Sequence, residues 1–191
     1  MKHAASRDLF SYWEALRGRR PAPQRAEIEP GAIRHVLSET FIVMLDRNSG
    51  FPFRLAGTRV CALFGRELKG ASFLGLWDEA SRTTLRDLLG LLTSETVGTV
   101  AGVTARSTAG EPLDLELLLL PLSAPRPMLA RGIGVLAPLQ VPQWIGVRPI
   151  GSLTLGSRRH VGVGAEKRLL PNFLTQWSTR RGLVVYEGGR A

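Results

Sequence analysis

The chain has 191 residues, 44% apolar and 21% charged, the balance of a soluble globular protein with core enough for one domain and some chain left over. One cysteine, Cys61, excludes an internal disulfide, three histidines are too few for a spaced Cys/His metal centre, and no apolar run approaches the ~18–20 residues of a membrane span. Of the net charge of +9, residues 141–191 carry +6 and residues 41–140 only +1, so the excess belongs to the tail and not to a fold-wide nucleic-acid surface.

The N-terminus MKHAASRDLF lacks the apolar core of a secretory signal, and a cytoplasmic protein is the expectation. Residues 6–17, SRDLFSYWEALR, read as an amphipathic helix. Leu9, Trp13 and Leu16 recur at i, i+4 and i+7, Phe10 and Tyr12 widen the stripe, Ser6 suits the N-cap and Gly18 stops the helix. Leu9, Phe10, Trp13 and Leu16 are the candidate interface, either as a lid over the domain's own sheet or as a homodimer contact. A lid that exchanges between protomers is both. GRRPAPQRAEIEPG, residues 18–31, is a linker that cannot be regular throughout. Pro30 suits the first turn of a second short helix with Ile33, Val36 and Leu37 along one edge, and His35 reads as a surface residue rather than a metal ligand. Phe41 to Leu45 is a strand apolar on both faces, hence covered on both, and Asp46 to Gly50 is the turn that makes it a hairpin with the next strand.

That next stretch, Phe51 to Trp77, reads FPFRLAGTRVCALFGRELKGASFLGLW. Phe51, Phe53 and Leu55 alternate with Pro52, Arg54 and Ala56, the period of a half-buried strand. Gly57 breaks it as a residue that turns the backbone freely, and Gly65, Gly70 and Gly75 cut the remainder into helical turns too short to be stable alone. A strand, a glycine turn and short helices closing over a sheet resemble the ligand chamber of PAS domains. The run FRLAGTRVCALFGRELKG before a Phe and a Trp resembles bacterial single-domain PAS-like proteins in particular. The resemblance runs to about Arg158 and implies a sensory or binding module.

After Trp77, Asp78 suits the cap of a longer helix to about Thr93, with Leu85, Leu88, Leu89 and Leu92 as its buried stripe. Strand segments follow at 99–106, 114–122 and 130–139, with Asp114 and Glu116 read as solvent-side charges. The expected fold class is α+β: a PAS-like five-stranded antiparallel sheet with short helices and one long helix on one face, and an N-terminal helical cap. The resemblance implies that the last strand lies beside the first, where Gly132 and Gly134 would allow close approach of a helix or ligand. The expected division is a cap at 1–40, a PAS-like domain at 41–140 and an extended basic appendage at 141–191, in part disordered, with a short helix at 166–177.

Little catalytic chemistry is visible. GRELKG at 65–70 is not a phosphate loop, because Lys69 precedes Gly70 and Ala71. Many haem-binding PAS domains carry their ligating histidine on the long helix, and this helix has none. Flavin-binding relatives place a reactive cysteine in an Asn-Cys-Arg-Phe-Leu-Gln context, whereas Cys61 sits in Val-Cys-Ala-Leu-Phe-Gly. Neither haem nor flavin is expected, and Cys61 reads as a small core residue. His3, His35 and His160 assemble no Ser/His/Asp set, so a non-enzymatic chain is expected. The resemblance implies a chamber turned inward at Phe53, Leu55, Val60, Leu63, Phe64, Phe73, Leu76, Trp77, Leu85, Leu89, Val103, Leu117 and Val135, either filled by these side chains or closed around a small molecule. The expected function is a sensory and signalling module acting by contact with a partner signalling protein. The alternative is nucleic-acid or anionic-surface binding through the basic tail, although a specific DNA reader would concentrate its charge on a recognisable helix.

Overall fold

The computed structural model describes residues 1–94, 97–124, 130–162, 179–180 and 183–184. Helix α1 (Ala4–Arg17) is capped by His3, whose Nδ1 accepts the N–H of Ala5 at 3.2 Å, and not by Ser6, which is buried within the first turn. It ends at Gly18, in a positive-φ conformation at 54°. The linker makes short 3-10 turns, including Pro30–Ile33, with Ala22, Ile28, Ile33 and Val36 buried. Then come β1 (Thr40–Met44), β2 (Phe53–Ala56), α2 (Thr58–Phe64), α3 (Glu79–Ser94), β3 (Gly98–Arg106), β4 (Pro112–Leu122), β5 (Arg131–Pro138) and β6 (Thr154–Val161).

These strands form a six-stranded antiparallel sheet in the order β2-β1-β5-β4-β3-β6. The fold is α+β and PAS-like, with β5 beside β1 at the centre. The sheet has one strand more than the five expected, because part of the segment after Pro142 is no appendage. Its residues Thr154 to Val161 pair with β3, from Thr104↔Thr154 to Gly98↔Val161. Just before it, fully buried Leu153 donates its N–H to the Leu76 carbonyl and accepts from the Asp78 N–H, both at 2.9 Å. A separate two-residue ladder joins β7 (Thr179–Arg180) to β8 (Leu183–Val184). The helix expected at 166–177 lies outside the described residues.

Both faces of the sheet are covered, as the two-sided apolar pattern of β1 requires. Phe41 and Val43 point to an inner layer built by α2, α3 and the turns between them, together with Leu115, Leu117 and Leu119 of β4. Ile42, Leu118, Leu120, Ile133 and Val135 point the other way, under α1 and the linker.

The hairpin departs from simple alternation. Phe51 sits in the left-handed region at φ 59°, directly after Gly50 at φ 69°, so the chain is still turning there and β2 begins only at Phe53. Val43 pairs with Phe53 and Ile42 with Leu55, which leaves Arg54 as the extra residue of a β-bulge. Neighbours Ile42 and Val43 face opposite sides, so the bulge sends Phe53 inward and Leu55 outward. Gly57 is needed for space rather than for an unusual turn: its φ is an ordinary −68°, but a Cβ there would overlap the carbonyl oxygens of Leu37 and Ser38.

Candidate functional site

The candidate site is the interior under α2 and α3. Gly65, at φ 62°, closes α2 after one face of Val60, Leu63 and Phe64 has been laid on the sheet. Asp78 starts α3 by accepting the Ser81 N–H at 2.8 Å, and its other carboxylate oxygen accepts the Thr154 hydroxyl. Those bonds, the Thr154 hydroxyl foremost, hold the Asp78 carboxyl below its ordinary value despite some burial. The Ser81 hydroxyl in turn accepts the Leu155 N–H at 2.8 Å, so β6 is tied to the start of the long helix.

Four rings fill the centre of this layer. Phe41, Phe53 and Phe73 lie with centroids 5.6 Å apart in each pair, and Phe73 lies 5.7 Å from Trp77. Each ring is 2% exposed or less, and the edge-on and tilted arrangements are those aromatic quadrupoles favour. Gly134, paired with Phe41, gives close approach as expected, but the Phe41 ring takes that space. The Trp77 indole N–H is buried and has no acceptor among the described residues.

Of the residues expected to line the chamber, Phe53, Val60, Leu63, Phe64, Phe73, Leu76, Trp77, Leu85, Leu89, Val103 and Leu117 are buried together in this layer. Leu55 and Val135 are not among them. The bulge at Arg54 puts Leu55 on the outer face, 43% exposed. Val135 alternates with inward Leu136 along β5, and so it packs under α1. Sequence reasoning missed Phe41, whose signal was its place on a two-sided strand, and Leu153, which was assigned to the appendage.

On the opposite face α1 supplies Leu9 and Trp13, both fully buried, with Phe10 and Leu16 partly buried beside them. The Trp13 indole N–H donates to the Pro121 carbonyl at 2.8 Å, and the Arg17 guanidinium stands 5.3 Å over its ring. Glu116 is a correction: it is buried, not solvent-side. Its register on β4 places it with Leu118 and Leu120 under the start of α1, where it accepts the N–H groups of Lys2 at 2.6 Å and His3 at 3.1 Å. Burial alone would push this carboxyl up, but these donors outweigh it and hold the group below the ordinary 4.5. The neighbouring Ser6 hydroxyl, buried without a hydrogen bond of good geometry, adds to the same field.

Cys61 is half-buried. Burial pushes its thiol up, and the Sγ lies 3.6 Å from a Glu67 carboxylate oxygen and 3.8 Å from the Ala56 carbonyl, so it stays a protonated, weakly nucleophilic thiol. His35 is exposed, 3.4 Å from Asp8. Among the described residues no cluster of three or more His, Cys, Asp or Glu could hold a metal ion, and no helix is long and apolar enough to cross a membrane.

A comparison with curated proteins finds no match. The family profile described as PAS domain matches residues 1–137, a span that runs from α1 almost to the end of β5. It takes in the lid, the hairpin, the short helices, the long helix and five strands of the sheet, and the chain belongs to the PAS domain family.

Proposed function

We propose that this chain is a non-enzymatic PAS signalling module that works by contact with a partner signalling protein, a second copy of itself being one such partner. PAS domains are in general sensory, non-catalytic modules. The observation that carries the reading here is the four-ring cluster of Phe41, Phe53, Phe73 and Trp77, which occupies the interior with the chain's own side chains. A PAS domain packed in this way passes its signal through its surface. Haem and flavin have no part in this reading: α3 carries no histidine, and Cys61 sits in Val-Cys-Ala-Leu-Phe-Gly rather than in an adduct-forming context.

A second reading rests on Trp77. An N–H buried without an acceptor is costly, and a small acceptor-bearing molecule beside Trp77 would satisfy it. The alternative through the basic tail, residues 141–191, has described cations in Arg148, which pairs with Glu111, and in Arg158 and Arg159 of β6; the rest of its basic residues, Arg180 of the short ladder aside, lie outside those described.

A photo-crosslinking residue at Val141, which is 74% exposed, tests the proposal in the cells that make the protein. Contact signalling gives a discrete protein adduct, of a second polypeptide or of a second copy. Absence of any protein adduct, with a stoichiometric small molecule released on denaturation, sinks it in favour of the second reading.

A further inference from the structure

On the outer face, where the β-bulge meets the linker after α1, lies a half-open cleft of about 640 Å³. Four cations from four separate elements line it: Arg25 of the 3-10 turn Arg25–Glu27, Arg54 of the bulge, Lys69 of the loop after α2, and Arg131 at the start of β5. Ile42 and Leu55 give it an apolar floor. The two nearest acids in sequence are engaged elsewhere. Glu27 is gripped by Arg20 at 2.8 and 2.9 Å, and Glu67 accepts the N–H groups of Leu68 and Lys69 at 3.0 and 3.1 Å. Among the described residues no acidic side chain lines the cleft, and Arg54, Lys69 and Arg131 make no ion pair. The Nε–H of Arg131 is buried with no partner there, a donor that folding leaves unmet unless an acceptor comes to it.

We propose that this cleft binds a soluble phosphate ester with a ring-bearing body, of the nucleoside di- or triphosphate class. The guanidinium fork matches phosphate oxygens in geometry as well as charge. Four cations without a carboxylate suit a ligand carrying several negative charges and reject a cationic one. Leu55, half out of the sheet, offers the ring an apolar face. The volume lies within the roughly 300–1,000 Å³ of small-molecule pockets, and walls from four elements enclose a compact ligand rather than an extended peptide. The bulge is what brings Arg54 and Leu55 to this spot. The site lies across the sheet from the aromatic interior and is independent of what that interior holds.

Calorimetric titration of the full chain at about 150 mM salt tests it, with ADP, inorganic pyrophosphate and adenosine as probes. ADP should bind one to one, pyrophosphate about tenfold more weakly for want of the ring, and adenosine not measurably. Arg131→Gln should weaken ADP about tenfold, Arg131→Lys should restore only part of that, and the exposed Arg54→Gln and Lys69→Gln changes should each weaken it several-fold with melting unchanged. The Arg54 and Lys69 variants decide the matter if Arg131→Gln does not fold. Absence of heat from ADP, GDP and pyrophosphate overturns the proposal. So does ADP binding that survives these substitutions and vanishes on removal of residues 163–191, or that is displaced by vesicles of anionic lipid in preference to free phosphate ester.

Discussion

At the scale of single residues, Trp77 joins more of the structure than any neighbour in sequence suggests. It follows the turn Leu74–Leu76, stacks at a tilt on Phe73, bridges Leu153 and precedes the cap of α3. Truncating it to alanine removes a fully buried indole where four elements meet, so Trp77→Ala should cost roughly 3–5 kcal/mol. Thermal unfolding followed by circular dichroism should then fall by about 10 °C or more, or the variant should not fold. A variant melting with the wild type would contradict the packing described. Phe51 makes a related point. A phenylalanine at φ 59° is strained, and it is held there by complete burial and by hydrogen bonds of its own N–H to the Asp46 carbonyl and of the Phe73 N–H to its carbonyl.

At the scale of elements, the attachment of α1 rests on an apolar stripe and one carboxylate. Glu116 has a folded-state value below that of the unfolded chain, so it contributes stability that is present above the unfolded value and lost as pH falls through the folded one. The melting difference between wild type and Glu116→Gln should therefore be full above about pH 5 and shrink toward pH 3. An equal difference at both ends would mean that the charge of Glu116 has no part in holding α1. Trp13→Asp should act more severely, because it places a charge against Leu118, Leu120 and Val135 and breaks the bond to Pro121. Light scattering should show aggregation or a changed oligomer. An unchanged, well-folded species would mean that α1 is dispensable as a lid. Both long helices were legible in the sequence, since Leu9 with Trp13, and Leu85 with Leu88, Leu89 and Leu92, repeat over enough turns for the helical period to show. The pairing of the hairpin was legible too, but the facing of its second strand was not. A bulge at Arg54 carries no glycine to mark it, and in a four-residue strand one extra residue reverses the face of Leu55. Glu116 was misread for another reason: its partners, the N–H groups of Lys2 and His3, are more than a hundred residues away, where no local pattern reaches.

At the scale of the whole molecule, the sheet is a wall between two compartments. The inner one holds the four rings and the α2–α3 layer, and the outer one holds α1, the linker and the cationic cleft. The sixth strand escaped sequence reading because β6, Thr-Leu-Gly-Ser-Arg-Arg-His-Val, is polar and half exposed, and its place is set by pairing with β3 and by the bonds to Asp78 and Ser81 rather than by an apolar stripe. The residues expected to face inward are buried together except Leu55, which the bulge turns out, and Val135, whose place in the regular alternation of β5 puts it under α1. The central claim is that the inner compartment is filled by its own side chains and that the protein signals through its surface. Native mass spectrometry of the purified full chain, wild type and Arg131→Gln side by side, tests it most directly. The account predicts masses of the polypeptide or of its protein complexes alone, with any small molecule on the wild type lost from Arg131→Gln. A stoichiometric small molecule that Arg131→Gln retains would place a ligand in the interior beside Trp77 and contradict it.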